Sequence, residues 1–380
     1  NMYSGTINGG TTETGNGGAI YSEGVVNIDG TNAPANAKPT INGGSAANGG
    51  AIFLNGNTNT VCDAVINAGT ATNGSGGAIY LNAGTLNMTG GEIIGSGDAT
   101  KPNATGHGGN VYVGAGAEMN MSGNASITNG VTVTASAKNG GNIAVYGTLN
   151  MSGNAVVSGG NAVNRDNKDI HVVNGTISVS GSAHAGVTGL VANGSATRVI
   201  VAESAKIDKL YLTKNGTNAL PKVEITGTLN NDALIKLSGV SGDFTNVTDA
   251  ANENNFLDLG GEKICYNPET NCLNLGAVIH CLCGASETGE EHKNGCNPEE
   301  MFLWKAVDLS AGGKINTAGN YYLTDATDTV AVAPLEIYGP NAEAGMVIRL
   351  DLNGHSITSN AEKRLLRLGD NVQLWLTNTA

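Results

Sequence analysis

His280, Cys281, Cys283, His292 and Cys296 crowd into a stretch of 17 residues. Imidazole and thiolate are ligands that tetrahedral zinc prefers. Two short pairs on either side of a polar loop holding Gly284, Gly289 and Gly295 can converge on one ion. A segment so poor in apolar residues needs such a staple to hold a shape. Cys281, Cys283, His292 and Cys296 are the expected ligands of one structural zinc, with His280 as the alternative fourth ligand. The competing reading is a disulfide from Cys296 to Cys281 or Cys283, which suits an oxidising compartment. In either case the role is structural, because four protein ligands leave no open coordination position. Cys265 and Cys272 flank the turn-like YNPETN and are candidates for a disulfide across a hairpin. Cys62 has no cysteine near it in sequence and reads as a small core residue.

Catalytic groups do not gather in the same way. A polysaccharide-cleaving site needs clustered carboxylates for a cation, a basic residue as proton acceptor and aromatic platforms for sugar rings. Here Asp and Glu are scattered, the regular repeats contain almost no Arg, and the outward strand positions read as Asn, Ser, Thr and Gly. The one dense polar cluster, NRDNKDIH at Asn164–His171, reads as a solvated loop. His107 in TGHGGN and His184 in GSAHAG lack partners at catalytic spacing and read as loop residues. No catalytic residue is assigned, and a non-enzymatic role is expected.

The elements that must carry these residues show as a period. Glycine pairs fall at Gly17-Gly18, Gly49-Gly50, Gly76-Gly77, Gly108-Gly109 and Gly140-Gly141, at intervals of 32, 27, 32 and 32 residues. Each opens an alternating segment such as GGAIYSE, GGAIFLN or GGNVYVG. A second signature follows, as in LNMTGG and MNMSGN, and then a third apolar segment, as in EIIGS and ASITNG. Alternation puts Ile20, Ile52, Ile79, Val111 and Ile143 on one face, and likewise Met88, Met121 and Met151. Three short strands cannot close a core alone, but stacked copies build parallel sheets around one interior. The expected fold is all-β, a right-handed parallel β-helix, since the six-residue apolar period of left-handed hexapeptide helices is missing. The paired glycines are expected at its corners, where positive φ and close backbone approach are needed.

The organisation read from these patterns is a parallel β-helix over 1–260, a terminal β-hairpin over 261–276, a Cys/His-rich linker over 277–304 and the first coils of a second β-helix over 305–380. NMYSGTINGG begins inside a repeat unit, so the chain reads as an excised piece whose end coils would self-associate if left uncapped. No run approaches the ~18 apolar residues of a membrane helix. With 19 basic against 32 acidic residues the net charge is -13, which opposes a phosphate backbone and argues against nucleic acid as partner.

The GGAIY units resemble the GGA[IV]-type repeats of polymorphic outer-membrane proteins and adhesin-like β-helices. With GNYYLT, LDLNGHSI and HCLCG, the arrangement looks like large multidomain surface proteins of Gram-positive gut bacteria. That resemblance implies an extracellular, cell-surface location and a stalk or adhesin segment facing host glycoprotein, mucin or glycan. A polysaccharide-active β-helix and a subunit stacking end to end into filaments are the alternatives.

Overall fold

The computed structural model describes residues 1–34, 37–132, 140–162, 169–213, 220–240, 242–246, 248, 250–260, 264–267, 271–275 and 277–280, then short stretches between 302 and 377. Chain contacts divide it into two units, Asn1–Glu262 with Asn271–Leu273, and Lys263–Thr270 with Asn274–Ala380.

In the first unit, 23 strands join one hydrogen-bonded network whose described pairings are all parallel. They fall into three columns. The first runs from Thr6–Asn8 through Thr40–Asn42, Val65–Asn67, Glu92–Ile94, Ser126–Thr128 and Val156–Ser158. The second starts at Ile20–Ser22 and continues through the beginnings of Ile52–Cys62 and Ile79–Met88 to Val111–Val113, Ile143–Val145 and Ile170–Val173. The third starts at Asn27–Asp29, takes the ends of the same two long strands, and continues through Glu118–Met121, Thr148–Met151, Thr176–Val179 and Arg198–Val201. A short fourth column holds Ser45–Ala46 and Thr70–Ala71, with Val131–Thr132 and Asn161–Ala162 further along. This all-β unit is built on one long parallel sheet, consistent with a β-solenoid.

Residues stack on their counterparts, so each apolar position becomes a row. Ile41, Ile66, Ile93 and Ile127 lie in line with essentially no exposure, and Met88, Met121 and Met151 do the same in the third column. Each such side chain contributes about 1.5–3 kcal/mol of burial. Cys62 departs from the core reading: it is an outward neighbour of inward Val61, half-buried, with its sulfur 3.3 Å from the Thr31 hydroxyl.

The glycine pairs sit where the chain enters the second column. The first of each pair, Gly17, Gly49, Gly76, Gly108 and Gly140, has φ of 73°, 60°, 68°, 63° and 75°. The second has a crowding problem instead. A Cβ on Gly18, Gly50, Gly77 or Gly109 would lie 2.1–2.5 Å from the carbonyl oxygen of the matching glycine in the next coil, that of Gly141 in the case of Gly109.

The second unit repeats the plan. Phe302–Val307, Gly319–Leu323, Met346–Asp351 and Val372–Thr377 pair in parallel in that order, with Ala277–His280 antiparallel on Phe302–Val307. Two smaller parallel columns accompany them, Lys314–Ile315 with Leu335–Ile337 and Leu366–Leu368, and Thr329–Ala331 with Ile357–Ser359.

Candidate functional site

Because strand alternation sends the residue after each inward Ile or Val outward, the second column carries an external row that begins Tyr21, Phe53, Tyr80, Tyr112. The rings stack: Tyr21 on Phe53 at 5.3 Å and 6°, Phe53 on Tyr80 at 5.1 Å and 12°, and Tyr80 on Tyr112 at 4.6 Å and 21°. In the next coil Ala144 takes the position, and Tyr146, two residues on, leans over to meet Tyr112 at 5.4 Å and 37°. The His107 ring stands edge-on to Tyr146 at 5.6 Å. Burial pushes the Tyr80, Tyr112 and Tyr146 hydroxyls up, and Tyr112, flanked also by the hydroxyls of Tyr80 and Tyr146, is pushed up to about 12. Outward strand positions are therefore not confined to Asn, Ser, Thr and Gly. The signal for this row was the aromatic in GGAIY and GGAIF. A sugar platform needs an open ring face, whereas here the inner rings close each other's faces and show their edges.

The third column presents a polar face. Thr58, Thr85, Glu118, Thr148 and Thr176 form one outward row, and Thr60, Asn87, Asn120, Asn150 and Ser178 the next. Asn120 Nδ2 donates to Asn87 Oδ1 at 2.9 Å and Asn150 Nδ2 to Asn120 Oδ1 at 2.8 Å, so the amides bond along the stack. Similar steps join Asn8, Asn42 and Asn67 in the first column.

A third ladder lies inside. Asn110, Asn142 and Asp169 are wholly buried at the start of the second column. Asn110 Nδ2 donates to Asn142 Oδ1 at 3.0 Å, and Asn142 Nδ2 donates to Asp169 Oδ1 at 3.0 Å and to the Ser158 carbonyl at 2.8 Å. Asp169 also accepts from the backbone N–H groups of Gly160 and Thr188. Burial raises its carboxyl above the ordinary range, against the pull of these donors. Asp169 and His171 are thus buried, correcting the solvated-loop reading for that end of NRDNKDIH; 164–168 lie outside the described residues.

His184 is likewise a strand residue, in His184–Ala185, and not a loop residue. Its Nε2 lies 2.8 Å from Asp208 Oδ2, while Lys236 Nζ lies 2.7 Å from Asp208 Oδ1, so one carboxylate ties three successive coils. Lys206 is the register neighbour of His184. Burial works to raise the Asp208 carboxyl, but Lys236 and His184 together outweigh it and hold it below the ordinary range. The stabilisation is therefore full above the ordinary carboxylate pKa of about 4 and is lost as pH falls through the lower folded value. For a pair about one-third exposed, Asp208→Asn is expected to cost about 1 kcal/mol. Amide exchange should quicken in His184–Ala185, Lys206–Thr213 and Leu234–Ser238 and stay unchanged before Asn150; uniform change along the chain would refute the local role.

Of the other predicted residues, Cys281, Cys283, His292 and Cys296 lie outside the described residues, as do the side chains of His280 and Cys265. Cys272 is buried at the start of Cys272–Leu275. His107 lies in a bend, as its loop reading requires. No family model, curated protein or solved structure matches this chain.

Proposed function

We propose that this chain is a non-catalytic adhesin-like or stalk segment of a bacterial cell-surface or secreted protein, a right-handed parallel β-helix presenting a long polar face to host protein, mucin or glycan. The observation that carries this reading is the pair of Thr and Asn rows on the third column, in register from Thr58 to Ser178. Asn120 donates one amide hydrogen to Asn87 and accepts one from Asn150, which leaves it one donor and one acceptor site for a ligand, whereas Asn150 donates to both Asn120 and Glu118 and keeps its acceptor sites. Stacking sets a Thr, Asn or Ser side chain in this row every ~4.8 Å. A polymer of hydroxyl and acetamido groups can use such an array at many points, each weak, with affinity built by repetition.

The charged groups support the same reading. Arg198 holds Glu224 through two hydrogen bonds, and His184 and Lys236 share Asp208. Each pair links neighbouring coils, as a structural clamp does. The expected result on a glycan array is binding to one or a few neutral or mucin-type glycans, with no new chain ends when the same glycans are incubated with the protein. Turnover of an acidic polysaccharide, lost on replacing His184 or Lys206, would overturn the proposal in favour of an enzyme.

A further inference from the structure

We propose that Tyr80 and Tyr112 form a built-in oxidative cross-linking pair, joined through ring carbons ortho to their hydroxyls when a one-electron oxidant reaches the ladder. The inference rests on the aromatic ladder alone and stands apart from the ligand-binding reading. Tyr80 and Tyr112 are register partners on adjacent coils, and their 4.6 Å separation is the shortest in the stack. Their Cα anchors are held ~4.8 Å apart by the backbone ladder. Phe53 covers the far face of Tyr80, and Tyr146 leans on that of Tyr112, so the two rings are held against each other from both sides. Both remain half-buried, which leaves the ring edges open to solvent.

Each phenol gives up one electron and its hydroxyl proton to become a phenoxyl radical. The two radicals share their unpaired electrons in a new carbon–carbon bond, and each joined ring carbon then passes its hydrogen to the ring oxygen, restoring two phenols. The two electrons and two protons released reduce one hydrogen peroxide to two waters, with a peroxidase as the one-electron agent. The bond forms first between facing ring carbons, and as these carbons pass on their hydrogens and the rings regain aromaticity it comes into both ring planes, so the rings turn out of their stack at that stage. Proximity makes the coupling effectively unimolecular, and such arrangements outrun encounters between separate molecules by orders of magnitude. Phe53 cannot form a phenoxyl radical, so it separates this pair from exposed Tyr21.

The test treats the full chain with peroxidase and less than one equivalent of hydrogen peroxide, followed by denaturation, digestion and mass spectrometry. The expected product is a linked peptide pair containing Tyr80 and Tyr112, two hydrogens lighter than its parts, in chains that still run as monomers. Its yield per chain should not depend on protein concentration. Tyr112→Phe should abolish it without unseating the ladder, since Phe53 already occupies the equivalent position in its own coil. Tyr3→Phe should leave it unchanged. Linkage only between chains, or only through Tyr3, Tyr21 or Tyr146, overturns the proposal. The wild-type mapping decides the question even if the Tyr112 variant fails to fold.

Discussion

Gly109→Ala is expected to destabilise the first unit by about 3 kcal/mol or more, against about 1 kcal/mol for Gly116→Ala. The two positions separate two reasons for glycine. Gly116 has φ of 79° with no atom within 4 Å of the place a methyl would take, so alanine there meets only the left-handed backbone penalty. At Gly109 the methyl would sit 2.1 Å from Gly141 O and 2.4 Å from Val131 N. Both obstacles are backbone: Val131 lies in the paired strand Val131–Thr132, and Gly141 sits two residues before Ile143–Val145, which is paired on both sides. Strand exchange should therefore quicken most in Val111–Val113 and Ile143–Val145. Hydrogen exchange is the better readout, because a stack of repeats need not unfold in one step. Equal losses at Gly109 and Gly116 would show that close approach is not the constraint.

Asn142→Asp is expected to cost about 3–5 kcal/mol at neutral pH. Asn142 donates to Asp169 and to Ser158 O, and a carboxylate can do neither when ionised. It would also set a second negative charge beside a buried first one, raising both carboxyl pKa values. A raised carboxyl pKa penalises the fold above the raised value, and the penalty lifts as pH falls through it. The variant's urea midpoint should rise from pH 8 to pH 5 more steeply than that of the wild type. A pH-independent deficit would mean that lost hydrogen bonds dominate, and charge does not.

The readable part of the fold is the part that repeats. Glycine pairs at intervals of 32 or 27 residues and the Ile and Met rows announce three strands per coil, because an error in one row would turn its whole set of apolar side chains outward. The aromatic row was equally visible in GGAIY, but a Tyr beside an Ile reads as strand composition until stacking places it on Phe53. Asp169 and His171 were not legible, since NKDIHVV lacks the glycine pair that marks the column start in earlier coils. The tie of His184 and Lys236 to Asp208 spans 24 and 28 residues, shorter than the main period. A register shift between Ile207 and Leu210 further breaks the alignment from which facing residues could be counted. The distances that matter there depend on local coil length, which no fixed period supplies.

The parallel columns also have a mechanical meaning. Their hydrogen bonds point along the stacking direction, so tension in that direction loads successive coils in series, and the weakest coil yields first. A yielding coil gives up ~4.8 Å of stack. It frees about 30 residues, or roughly 100 Å of extended chain. Intact neighbours keep their own pairings, because each coil touches mainly the next. Under pull, the first unit would behave as a row of fuses, lengthening about twentyfold at each break while the remaining coils keep bearing the load.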